Sequence, residues 1–206
     1  MAEVMKTRQL ITCLATAMAL PLAAHSAVII GNLPTTPLGS TNRVTIDANG
    51  HFVGFQMGSS DYKLESIVLT LLSEEPEIDE SCNVSIYASF NDEPAGILGD
   101  FGTVIAIHNV PFDDYQITVP ANFILKANTT YWLGLKDDES SPVGPPYWMA
   151  STPEVTPTGA GATFFGTFGS IETTTSFQLN GTAVPEPSAA MLGALGLLCT
   201  LTRRRR

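Results

Sequence analysis

The stretch Asn83-Val84-Ser85-Ile86-Tyr87-Ala88-Ser89-Phe90 sets Val84, Ile86, Ala88 and Phe90 against Asn83, Ser85, Tyr87 and Ser89. A period of two is what a strand with one buried face requires, because successive side chains leave the backbone on opposite sides. Tyr131-Trp132-Leu133-Gly134-Leu135-Lys136 repeats the pattern, with Tyr131, Leu133 and Leu135 on one side and Trp132 on the other. Helical spacing is largely missing between the two ends of the chain.

Outward from these two runs, further strands are predicted at 27–32, 43–47, 51–57, 64–72, 102–108, 114–119, 147–150, 162–168 and 174–179. Asn49-Gly50 reads as a type I′ hairpin turn between two of them, since both residues tolerate positive φ. In the 64–72 run, Ile67, Leu69 and Leu71 point one way and Val68, Thr70 and Leu72 the other. That strand is therefore expected centrally, covered on both faces near its end. Pro142, Pro145, Pro146, Pro153 and Pro157 crowd one stretch, so 138–161 is read as a loop-rich excursion. Many short strands joined by Gly, Pro, Asn and Asp turns predict an all-β, antiparallel β-sandwich, jelly-roll-like or otherwise Greek key.

Both ends differ from this middle. Lys6 and Arg8 precede an apolar run from Leu10 to Leu22, and Ala24-His25-Ser26 supplies small residues at the spacing of a cleavage site. Residues 1–26 are read as a secretory signal peptide. At the other end, Val184-Pro185-Glu186-Pro187 is followed by the apolar segment from Ser188 to Thr202 and then by Arg203, Arg204, Arg205 and Arg206. As a helix those 15 residues would rise about 22 Å, short of a hydrocarbon core of about 30 Å. The arginines would stay on the cytoplasmic side and snorkel to lengthen the span, placing the rest of the chain outside the inner membrane. The division is thus 1–26, a 27–182 exported domain and a 183–206 sorting or anchor segment.

Of the 206 residues, 10 are Lys or Arg and 20 are Asp or Glu. Six of the basic residues and two of the acidic ones, Glu3 and Glu186, lie in the ends. The 27–182 domain keeps Arg43, Lys63, Lys126 and Lys136 against 18 acids, a formal charge of −14. Such a surface excludes nucleic acid as a partner, because phosphate binding relies on Lys and Arg displacing counterions.

The ends also hold Cys13 and Cys199, leaving Cys82 alone in the domain, so no disulfide can form within it. Only His51 and His108 remain there, and HExxH, CxxC and GxSxG are missing. The acids Glu74, Glu75, Glu77, Asp79 and Glu80 are the densest cluster, and Asp137-Asp138-Glu139 a second. Calcium is the metal such acids would suit, with Glu75, Glu77, Asp79, Asp137 and Asp138 as candidate ligands, although neither run has EF-hand spacing. No other cofactor is implied. Trp132, Tyr147 and Trp148 are candidate platforms for sugar contact. Trp132 belongs either to a platform on the second strand face or to the core between two sheets. A secreted hydrolase would rest on the surplus acids alone, because a glycosidase needs two carboxylates at a set separation.

The ordered run Val184-Pro185-Glu186-Pro187, apolar segment and terminal arginines resembles the PEP-CTERM sorting signal of Gram-negative bacteria. The resemblance implies recognition of Pro185-Glu186-Pro187 by an exosortase, a membrane transpeptidase-like enzyme, and removal of the tail. A second set of runs resembles the choice-of-anchor R family over about residues 52 to 136. It comprises Phe55-Gln56-Met57-Gly58, Tyr62-Lys63-Leu64-Glu65-Ser66-Ile67-Val68-Leu69, Val84-Ser85-Ile86-Tyr87, a turn at Glu93-Pro94-Ala95-Gly96, and 125–133. It implies an exported β-sandwich and carries no activity or ligand residues with it. The expected function is a non-catalytic surface or matrix protein, with a carbohydrate-binding module in the exopolysaccharide as the alternative.

Overall fold

Alternation along the chain becomes twelve strands in the computed structural model, which describes residues 26–33, 43–46, 48–75, 77–108, 112–138, 144–150, 155–169 and 174–185. They are β1 (Ala27–Gly31), β2 (Arg43–Thr45), β3 (His51–Met57), β4 (Tyr62–Leu72), β5 (Glu80–Phe90) and β6 (Glu93–Ala106). The rest are β7 (Asp113–Thr118), β8 (Ile124–Leu125), β9 (Thr130–Asp137), β10 (Tyr147–Met149), β11 (Ala162–Phe168) and β12 (Phe177–Ala183). No helix occurs among the described residues. The signal segment before Ser26 and the apolar segment with its arginines lie outside them.

The strands form two antiparallel sheets. One runs β1-β12-β4-β10-β2, with β7 and β8 on the free edge of β4; the other runs β11-β3-β9-β5-β6. Consecutive strands mostly belong to opposite sheets, so the chain crosses the core again and again, as in Greek-key sandwiches. β5–β6 is a hairpin within one sheet, and its tip residues Asn91 and Asp92 both take positive φ (52° and 62°), the requirement of a type I′ turn. Asn49-Gly50 is not such a hairpin. The flanking β2 and β3 lie in different sheets, so the residues turn the chain across the sandwich instead. Nor is Glu93-Pro94-Ala95-Gly96 a turn: it opens β6, with Pro94 opposite Ser89. An edge strand tolerates a proline there because no further strand needs its missing N–H.

β4 is the axis of the first sheet, as its sequence predicts. Ile67, Leu69 and Leu71 are fully buried and share one cluster with Val53, Phe55, Ile86, Leu133 and Leu135 of the second sheet. On the reverse face Thr70 and Leu72 are buried too, and Thr70 Oγ1 donates to Asp114 Oδ1 at 2.6 Å. Glu65 is an extra residue opposite the Asn180–Gly181 step, and this bulge turns Leu64 to the core as well. The long edge strand β6 shifts register three times along β5 and approaches β7, while β11 approaches β1, so the second sheet curls around the core.

Candidate functional site

The sorting run begins where the fold ends. β12 is held between β1 and β4 down to Gly181 and by β4 alone to Ala183, which pairs with Tyr62. One residue further, Val184 N donates to the Asp61 carbonyl at 2.9 Å. Asp61 is itself fixed: its carboxylate accepts from Lys126 Nζ and from Ala127 N, both at 2.8 Å. Those bonds, the lysine's first, hold its carboxyl below the usual aspartate range. Pro185 follows exposed. Glu186, Pro187 and Arg203 to Arg206 lie outside the described residues. No linker separates the last strand from the run Val184-Pro185-Glu186-Pro187, a juxtaposition that the sequence could not show.

The same end of the sandwich receives the start of the domain, since Ala27 of β1 lies opposite Gly181 of β12. The β3–β4 turn and the segment between β8 and β9 complete it, with Asn128 N donating to the Gly58 carbonyl at 2.8 Å. Strand direction puts the β5–β6 hairpin tip there too, because β5 runs past the Ala88–Tyr131 pair before it turns. This end is called the exit pole below.

Strand direction gathers most of the described acids at the opposite end. Glu74, Glu75, Glu77, Asp79 and Glu80 lie in or beside the β4–β5 connection. Asp113 and Asp114 pair with Leu71 and Thr70 at the far end of β4, and Asp137 pairs with Cys82. Asp138 accepts from Ser81 Oγ at 2.6 Å. The candidate calcium ligands Glu75, Glu77, Asp79, Asp137 and Asp138 thus share one pole. Several of its acids have protein partners: Glu74 pairs with Arg43, and Asp79 accepts from His108 N at 2.9 Å and meets His108 Nδ1 at 2.6 Å. The backbone bond first, then the ring bond, hold the Asp79 carboxyl low. Glu80 is 4% exposed, and burial pushes its carboxyl up. Among the described residues no group of three or more His, Cys, Asp and Glu side chains converges as a metal site would need.

The aromatic candidates separate. Trp148 is fully buried and donates Nε1–H to the Ser176 carbonyl at 3.0 Å, so it offers no ring face to a ligand. Tyr147 is half-buried, with the Arg43 guanidinium 4.3 Å above its ring. Trp132 takes neither of its two expected places. It lies on the outer face of the second sheet yet is 2% exposed, in a cluster with Phe52 and Tyr87. Phe165 and Phe168 cover it edge-on at 5.7 and 6.2 Å, and its Nε1–H reaches Ser89 Oγ at 3.2 Å. Gly54 and Gly134 make room for this layer. A Cβ at Gly134 would meet the Phe52 ring at 2.5 Å, and one at Gly54 the Trp132 ring at 2.9 Å. The signal missed in the sequence is this pairing of outward glycines with outward rings on neighbouring strands.

Cys82 is fully buried, and burial, with nearby Asp138 and Asp137, pushes its thiol up to about 12. It behaves as a packed hydrophobe rather than a nucleophile. His51 is 1% exposed and meets the Trp148 ring edge-on at 5.6 Å.

No curated protein matches the chain. Residues 183–206 match the PEP-CTERM protein-sorting motif. The chain therefore carries the signal for export and membrane-associated sorting by an exosortase in Gram-negative bacteria, and that signal starts at the last residue of β12.

Proposed function

We propose that the 27–182 sandwich is a non-catalytic cargo domain, delivered by its tail to the outer surface or exopolysaccharide matrix after an exosortase acts at Pro185-Glu186-Pro187. The observation that carries the proposal is the 183–206 match directly abutting a closed fold. The engagement of His108 with Asp79 and the burial of Cys82 support a structural rather than reactive use of the domain's chemistry. So does the resemblance of 52–136 to choice-of-anchor R domains.

Pro185→Ala combined with Glu186→Ala removes the motif with one substitution at an exposed residue and one beyond the described fold. Expressed in a bacterium with an exosortase, the double variant is expected to stay in the inner-membrane fraction with its tail attached, while the unaltered protein leaves it. Equal release of the two would overturn the proposal.

A further inference from the structure

The geometry points to the exit pole as a lipid-docking face, pressed against the headgroups of the membrane that receives the protein's own apolar segment. This deepens the sorting proposal and rests on it.

Chain length carries the argument. From Pro185 to Ser188 there are three residue steps, which span at most about 11 Å however they run. A headgroup layer is about 5–7 Å deep on each side of the hydrocarbon. With Ser188 at the hydrocarbon edge, the leash left above the headgroups is only a few ångströms. Val184 is bonded to Asp61, so the folded body begins immediately. The pole that holds Asp61 must touch lipid.

Three features suit it to that position. The start of β1 leaves at the same pole, so a chain still joined to its signal segment hangs from the membrane by both ends without crossing the sandwich. Phe90 at the hairpin tip is 69% exposed and Ile124 of β8 is 39% exposed, apolar side chains that can enter the headgroup zone; Ile78, Ile105 and Ile107 are comparably exposed toward the far pole, so it is the leash that selects between the two. Charge is also partitioned. Among the described residues, the exit pole sets Lys63 and Lys126 against Asp61, Glu65, Asp92 and Glu93, whereas the far pole sets Arg43 and Lys136 against nine carboxylates. Anionic lipid repels the far pole more strongly and selects the same orientation as the leash.

The test uses the full chain with Cys13→Ala and Cys199→Ala, reconstituted into vesicles of phosphatidylcholine and phosphatidylglycerol that carry a headgroup nitroxide. Cys82 is buried and stays unlabelled. A fluorophore is placed singly at Phe90→Cys or Lys126→Cys at the exit pole, and at Glu77→Cys or Asp113→Cys at the far pole. The eleven residues of β4 separate the poles by about 33 Å, so exit-pole labels should lose about half their emission or more while far-pole labels keep theirs. Flotation of the vesicles reads insertion separately. Protein that floats yet is quenched equally at both poles, or more at the far pole, overturns the docking face and leaves the sorting proposal standing. Protein that does not float overturns both.

Discussion

The exit pole and the far pole are built from the same strands, yet among the described residues one receives the first and last strands' outer ends and the other most of the charged side chains. Along β4, Tyr62 and Lys63 face the exit while Leu71 and Leu72 end among carboxylates. Sequence distance hides this division: Glu77 and Asp138 lie some sixty residues apart and share a pole, whereas Pro185 sits at the other. Antiparallel crossing sorts residues by strand end, not by position in the chain. A domain with a formal charge of −14 can therefore offer its least acidic end to a membrane.

The poles should differ in mechanical worth. Trp148, which packs at the far end of β4, is fully buried and hydrogen-bonded. Trp148→Ala is expected to lower stability in urea by about 3–5 kcal/mol. A loss below about 1 kcal/mol would show that this end is not close-packed.

A smaller effect tests the acids themselves. Because burial raises the Glu80 carboxyl, the native state holds its proton more tightly than the unfolded chain does. Stability then falls as pH rises through the folded pKa, and the cost is complete above it. Glu80→Gln keeps an acceptor for Glu74 N, bonded at 3.2 Å, and removes that cost. It should raise Tm at neutral pH, and the gain should vanish at an acid pH where the carboxyl is protonated in both the folded and the unfolded chain. Thermal melts at both pH values check this, and a gain that persists in acid would contradict it. Asp61 at the exit pole responds with the opposite sign. Its lowered carboxyl supplies stability above the unfolded value that is lost as pH falls through the folded one.

The smallest effect is expected at the hairpin tip. Phe90→Ser alters a side chain that is 69% exposed and should change urea stability by less than about 0.5 kcal/mol. A larger loss would mean that the tip is packed, which would deprive the exit pole of its free apolar side chain.

The strands were legible where burial is one-sided. β3 and β11 begin and end at the residues that alternation marks, and β4 is central as its double-faced run predicts. Pairing was less legible. Asn49-Gly50 has the turn chemistry of a hairpin, but its flanking strands find partners in different sheets, a long-range outcome that turn residues cannot encode. The one-sided rule also misplaced Trp132, because it assumes a single buried face. Phe165 and Phe168 return from β11 to bury a second one. In the tail, three ordered elements made the motif plain, while its contact with Asp61 needed the fold.

If an exosortase acts at Pro185-Glu186-Pro187, a folded acidic domain leaves the inner membrane freed from the tail that follows it. Intact mass measurement of the protein recovered from outside the inner membrane tests this most directly. The expected mass is that of a chain beginning at Ala27 and ending between Val184 and Ser188. Recovery of the complete 206-residue chain, with both ends intact and confined to the cytosol, would contradict it.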